Sequence, residues 1–508
     1  MSSSIQQPSP TRNEPQSLQV NRFIIATNRG PVEYTVSRDH GLKFRRGSGG
    51  VVTALSGIVK SGNTTWVALA MTDGDRQALE NAPDDLLESP IRAMPVHLRY
   101  IEVPKGVYRK HYDMMSNRVL WFTQHYLLEQ SEDAFSAEKL HDAWDNGYVQ
   151  VNEAIATAVC QEIERETSKA AVMLHDYHLY LVSAQVRERH PSIVMQQFIH
   201  IPWPEFRYWS SSLPTAIMSA IFQGLLGNDI LGFQTRHDAD NFLEGVQALL
   251  ASEGAQVDEE RREIVWKDHQ TQVRDYPISI SVTDERKVVQ SRASQHALKH
   301  IQPLLREYTI MRVDRIEPTK NIVQGFHAYD TVLQQHPELH EKVTFLAFLT
   351  PSRQSLPLYR KYQDQTLKTI EEINEKYRTK DWTPIQSYVQ NDRVVALTAL
   401  QFYDTLLVNP VIDGMNLVAK EGPAVNKSNG VLVLSRSSGA FQQLAQASIP
   451  ISPSDHLETA EALYNALMLP AEERQRLSQL AREEVERDTL NVWIEQQIRD
   501  MNDLFKTR

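Results

Sequence analysis

The chain has 508 residues, a formal net charge of −11, 41% hydrophobic and 23% charged residues, an ordinary globular composition with room for two or three domains of about 150 residues each. Its single cysteine, Cys160, excludes a disulfide framework and a multi-cysteine zinc or redox site within the chain. The acidic balance argues against a broad nucleic-acid surface, yet small anionic ligands stay open, because a few arginines set the potential of a cleft.

Residues 1–19 are mostly Ser, Gln, Pro and Asn with little to bury, and a disordered tail is expected there. No basic and then apolar leader follows, so a cytoplasmic location is expected, and no apolar run approaches the roughly 20 residues that span a bilayer. From Asn21 to Asn28 a short strand is predicted, stopped by Arg29-Gly30-Pro31. Further unbroken apolar runs lie at Thr65–Ala70, Ala171–Leu174, Ile193–Ile201, Tyr308–Val313, Val343–Leu349, Thr405–Val408 and Val431–Leu434. Continuous rather than alternating apolar residues mark strands covered on both faces. Between them lie helical stripes, such as Leu140, Trp144, Tyr148, Val151, Ile155, Val159 and Ile163, and near the end Ile494, Ile498, Met501 and Phe505. Strand and helix alternate throughout, which predicts an α/β fold with parallel sheets. About 490 ordered residues are too many for one open sheet. The Pro277-containing stretch from Asp275 to Thr283 is the best boundary. The expected division is 20–278, 279–485 and a terminal helix over 486–508, with two doubly wound domains facing a cleft and the last helix packing back on the first domain.

Several motifs fall away. The chain has no Gly-Lys pair and so no P-loop, and it lacks a GxSxG elbow and an HExxH helix. Asp73-Gly74-Asp75 and Asp238-Ala239-Asp240 have the form of a metal-binding acidic triplet, but such triplets are common by chance. No metal is expected.

Five segments place polar groups or glycines where a parallel strand should end, the position at which such folds bind ligands. Arg29 precedes Gly47-Ser48-Gly49-Gly50 and an apolar helical stretch; an arginine fork and exposed backbone N–H groups suit a phosphate, although a surface arginine beside an ordinary turn fits equally well. His175-Asp176-Tyr177-His178 follows one strand, and His200-Ile201-Pro202-Trp203-Pro204 follows another, with prolines stiffening the loop. Arg315 and Lys320 bracket a turn into a helix, where both cations could meet one anion, and Arg353 ends the next strand. In Asp413-Gly414-Met415-Asn416-Leu417, the amides of Met415, Asn416 and Leu417 could face a phosphate, and Glu421 could reach a ribose. Together these groups describe a nucleotide diphosphate ligand in an interdomain cleft.

The segments Asp413–Glu421, Leu174–Leu179, His200–Pro202 and Val313–Arg315 make the chain resemble the trehalose-6-phosphate synthases, retaining glycosyltransferases of family 20 with two Rossmann-like domains (the GT-B type), from about Arg22 to the last helix. The resemblance implies that Arg29, Tyr112, Trp121, Asp176 and Arg353 bind the acceptor. It implies that Gly50, Arg315, Lys320, Met415, Asn416, Leu417 and Glu421 hold the donor, and that His200 and Asp413 hold the donor glucose beside Arg315 and Lys320 at the reaction centre. The implied reaction moves glucose from a nucleotide diphosphate-glucose to glucose 6-phosphate without metal or cofactor, giving trehalose 6-phosphate, and leaves homo-oligomerisation open. Glu317-Pro318-Thr319 and Asn321 around Lys320, Asp113-Met114-Met115, Phe122, Ile412 and Gly422 depart from the family pattern. Pro318, Lys320-Asn321 and the Trp203-Pro204 loop are similar to the validoxylamine-phosphate synthase branch. Another phosphorylated acceptor, glycerol 3-phosphate or a cyclitol phosphate, is therefore the alternative, and a non-catalytic regulatory relative a further one.

Overall fold

A computed structural model describes residues 18, 20–37, 41–47, 50–55, 63–128, 136–165 and 169–507. The expected tail, apart from Leu18, and Ser48-Gly49 ahead of Gly50 lie outside the described residues. The larger sheet runs in the order Gln256–Asp258, Glu263–Trp266, His269–Asp275, Ile230–Phe233, Val194–Phe198, Ala170–His175, Arg22–Arg29, Thr64–Leu69, His97–Ile101 and Leu87–Glu88. The smaller runs Ile385–Val389, Val343–Pro351, Tyr308–Ile316, Thr405–Val408, Val431–Ser435 and Ser448–Ile451.

The strands read from unbroken apolar runs are the central ones. Ala170–His175, Thr405–Val408 and Val431–Ser435 are buried along their whole length because helices cover both faces. The smaller sheet is parallel throughout, and the larger is parallel from His269–Asp275 across to His97–Ile101, as expected, with antiparallel additions at its two edges. Gln256–Asp258, Glu263–Trp266 and His269–Asp275 pair antiparallel at one edge, and Leu87–Glu88 does so at the other. Glu263–Trp266 and His269–Asp275 alternate between buried and more open positions, and Gln256–Asp258 and Leu87–Glu88 bury no residue fully, so all four lack the continuous apolar signature. The stripe from Leu140 to Ile163 is also not one regular helix. A π-helical turn at Trp144–Val149 separates Ala137–Ala143 from Gln150–Glu164, and its wider turn keeps Trp144, Tyr148 and Val151 on the buried side.

The acidic triplets are local structure. Asp75 caps the helix Asp73–Glu80, accepting from the N–H groups of Tyr34, Met71 and Thr72. Asp238 accepts from Trp203 N and is bonded by Thr235.

The segment after Asp275 is extended and pinned from both sides. Tyr276 N donates to Phe233 O (2.8 Å), Ile278 N to Gln234 Oε1 (3.0 Å), and Lys420 Nζ to Ile278 O (2.7 Å). The last helix, Leu490–Thr507, lies against the larger sheet, with Trp493 Nε1 donating to Tyr276 O (3.0 Å) and Gln196 Nε2 to Gln497 Oε1 (2.7 Å). No helix among the described residues is long and apolar enough to cross a membrane.

The carboxyl ends of the two sheets meet. A Cβ added to Gly414 would stand 2.5 Å from the His200 carbonyl oxygen, so only glycine lets these two backbones, one from each sheet, approach so closely.

Candidate active site

Arg29 is the last residue of its strand, and its Nη2 donates to Tyr112 Oη at 2.9 Å. Tyr112 sits on a π-helical segment, Lys110–Leu120, and stacks on His178 (centroids 5.7 Å apart) and Tyr108 (5.3 Å). Immediately after that segment, the Trp121 ring lies 3.8 Å from the Arg353 guanidinium and 5.9 Å from that of Arg315. The indole face attracts both cations, so arginines from two strand ends of the smaller sheet converge on an aromatic of the larger half.

Asp176, next to this wall, has φ of 74°, a costly conformation for a non-glycine residue that the packed surroundings must hold. Burial pushes its carboxyl up to about 7, against the backbone N–H groups of Tyr177 and His200 and the charge of Arg353. Its Oδ1 has no hydrogen-bond partner among the described residues. Because the folded acid holds its proton more tightly than the unfolded one, Asp176 favours folding at low pH and loses that contribution as pH rises from about 4 through about 7. Asp176→Asn should therefore melt higher than the parent at pH 8, by about 1–3 °C, with the gain shrinking at pH 5. Thermal melts at the two pH values check this, and an equal shift at both would remove Asp176 as the titrating group.

His175 Nδ1 and His200 Nε2 are 3.2 Å apart. Burial pushes His200 down to about 3 and His175 well below its usual range, so the rings are neutral and one donates to the other.

The cations of the smaller sheet are not free, contrary to the simple picture of two bare charges awaiting one anion. Lys320 pairs with Asp413, to which Asn416 Nδ2 also donates (3.1 Å). Burial lowers the Lys320 ammonium, but Asp413 and Asp314 outweigh it and raise it above its usual value. Arg315, half exposed, pairs with Glu317 at 3.0 Å. Arg353 Nη1 lies 3.3 Å from the same Glu317 Oε1 and donates to Tyr359 Oη at 3.1 Å. Burial would raise the Glu317 carboxyl, but Arg315, Arg353 and Lys320 hold it down at about 2.

The loop Asp413–Leu417 is pinned to the neighbouring strand's loop, with Asp413 N donating to Ser437 O (3.2 Å) and Gly439 N to Asp413 O (3.0 Å). Asn416 has φ of 70°. Among the described residues, the N–H groups of Met415, Asn416 and Leu417 find no backbone acceptor, ahead of the helix Val418–Val425. Those amides lie at the start of that helix, where its dipole favours an anion. Glu421 lies on that helix, pushed up to about 7 by burial and by Glu285, with Arg393 3.8 Å away. Gly50 opens the helix Gly50–Leu55. Among the described residues no group of three or more His, Cys, Asp or Glu is placed to hold a metal ion.

The family model described as glycosyltransferase family 20 matches residues 21–503. The chain belongs to glycosyltransferase family 20. Within the family it is 29% identical over 479 residues to a UDP-forming alpha,alpha-trehalose-phosphate synthase of Dictyostelium discoideum, covering 93% of this chain and 61% of that protein. It is 30% identical over 462 residues to the trehalose-6-phosphate synthase of Cronobacter sakazakii, covering 89% and 91%. A solved E. coli structure bound with UDP-2-fluoro glucose superposes with a TM-score of 0.78 at 25% identity, covering 95% of this chain and 99% of that one. This is the two-domain GT-B architecture expected from the sequence. The chain thus spans about three fifths of its Dictyostelium relative and nearly all of its bacterial ones.

In this family-20 chain, the structure gathers Arg29, Tyr112, Trp121, Asp176 and Arg353 on one wall. It gathers Arg315, Lys320, Asp413 and Asn416 on the facing one, with His200 at their junction through Gly414. Glu421 belongs to a separate cluster with Glu285 and Arg393. Sequence reading singled out neither Glu317 as a partner of two arginines nor Tyr359. A carboxylate two residues past Arg315 was the only signal, and neither its burial nor its contact to Arg353 can be read from that.

Proposed function

We propose that this family-20 protein transfers glucose from a nucleotide diphosphate-glucose to glucose 6-phosphate, with retention, forming trehalose 6-phosphate. The observation that carries the reading is the convergence of Arg353 and Arg315 over the Trp121 indole. A phosphate-seeking cation of the acceptor wall and one of the donor wall then lie side by side, as coupling two phosphorylated sugars requires. In this reading Arg29, Tyr112, Trp121 and Arg353 take the acceptor phosphate, and Asp176 accepts from an acceptor hydroxyl. Arg315, Lys320 and the Met415–Leu417 amides hold the diphosphate beside the Gly50 helix, Glu421 the ribose, and His200 with Asp413 the donor glucose. Charge grows on the diphosphate as the glycosidic bond breaks. The two cations and the amides stabilise it there, while the departing oxygen takes the acceptor hydroxyl's proton on the same face. No resident cofactor or metal enters this scheme.

The UDP-forming name of the Dictyostelium relative supports uracil as the base. The test is a product screen pairing UDP-, GDP- and ADP-glucose with glucose 6-phosphate, glycerol 3-phosphate and cyclitol phosphates, with and without a chelator. Trehalose 6-phosphate from UDP-glucose and glucose 6-phosphate, undiminished by chelator, is expected. Turnover with a different phosphate alone would replace the acceptor, and loss of activity with chelator would refute the metal-free scheme.

A further inference from the structure

Glu317 is fully buried, yet it is no ordinary half of an ion pair. Its Oε1 receives Arg315 Nη1 (3.0 Å), Arg353 Nη1 (3.3 Å) and Ser352 Oγ (2.8 Å), and its Oε2 has no hydrogen-bond partner among the described residues. One carboxylate therefore ties two guanidiniums that lean on the same indole and that the reading above assigns to two different phosphates. Two arginines this close repel, and a bare pair would spread apart or bind any passing polyanion tightly. A fixed counter-anion prevents both.

We propose that Glu317 is a positioning residue that acts as an internal competitor for anions. It occupies Arg315 and Arg353 between turnovers, holds them at the spacing needed for donor diphosphate and acceptor phosphate, and limits how tightly either anion binds before reaction. The idea rests on the proposed glycosyl transfer for the identity of the two phosphates, but not for its electrostatics. Because the anionic form of Glu317 is held at about 2, this counter-charge is present at every working pH.

A counter-anion and a merely structural carboxylate make opposite predictions. Inorganic pyrophosphate is titrated into the full-length wild type, Glu317→Asp and Glu317→Gln by calorimetry at low salt, and kcat and KM are measured on the same preparations. Pyrophosphate affinity should rise about two- to threefold in Glu317→Asp, whose shorter arm draws the charge back, and about tenfold in Glu317→Gln. Turnover should fall in the same order, about tenfold and then about a hundredfold, with neither KM raised. Affinity that falls or stays level in the variants overturns the proposal, as does unchanged kcat. Should Glu317→Gln fail to fold, the Glu317→Asp comparison decides by the same signs. The titration does not depend on turnover, so a wild type inactive with every donor–acceptor pair would refute the function reading and leave the pyrophosphate result to judge Glu317.

Discussion

Lys320→Ala is expected to lower kcat about a thousandfold under saturating donor and acceptor. The ammonium is the only counter-charge on Asp413 shown by the ion pairs of the described residues, and it helps Arg312 hold Asp314, whose carboxyl burial already pushes up. Removing it takes away a stabiliser of the departing diphosphate, an effect of about 10²–10³ for a single preorganised group. It also leaves Asp413 facing the anion unshielded, which adds repulsion to the loss. Steady-state kinetics on a variant with a native melting profile measures the effect. A fall of less than tenfold would take Lys320 out of the diphosphate clamp.

The second large effect is at Arg353. Its guanidinium is stacked on Trp121, hydrogen-bonded to Tyr359 and paired with Glu317, and its φ of 40° aims the side chain from the end of the strand Val343–Pro351 at a cost the packing must offset. Arg353→Ala should raise the acceptor KM about a hundredfold while the donor KM changes less than about threefold, since charged hydrogen bonds to a phosphate contribute about 1.5–3 kcal/mol. Arg353→Lys should recover little, because an ammonium cannot stack flat on the indole and reach both Glu317 and Tyr359. Equal shifts in both KM values would show that Arg353 serves the site as a whole rather than the acceptor.

What could be read in advance follows from how each signal is stored in the chain. Thr405–Val408 and Val431–Ser435 were legible because strands covered on both faces must be apolar at every residue. The antiparallel edge at Glu263–Trp266 was not, since a strand covered on one face needs only every second residue apolar, and four residues are too few to show the alternation. The π-turn at Trp144–Val149 adds less than one residue per turn, and the four-residue steps from Leu140 to Trp144 and Tyr148 are also normal in an α-helix, so it left no separate signal. At the site, polar residues after apolar runs pointed to His200, Asp413, Arg315 and Arg353 one by one. Nothing local told that Lys320 would pair with Asp413, or that Arg315 and Arg353 would share Glu317.

The amino-acid sequence alone determined the alternating elements, the central strands and the phosphate-seeking character of the residues after them, because these depend on neighbours within a few positions. The folded chain decided which charges neutralise one another and which aromatic they lean on. Those pairings join residues far apart in the chain, such as Trp121 with Arg353, and distance in space is set only when two sheets bring their carboxyl ends together across Gly414.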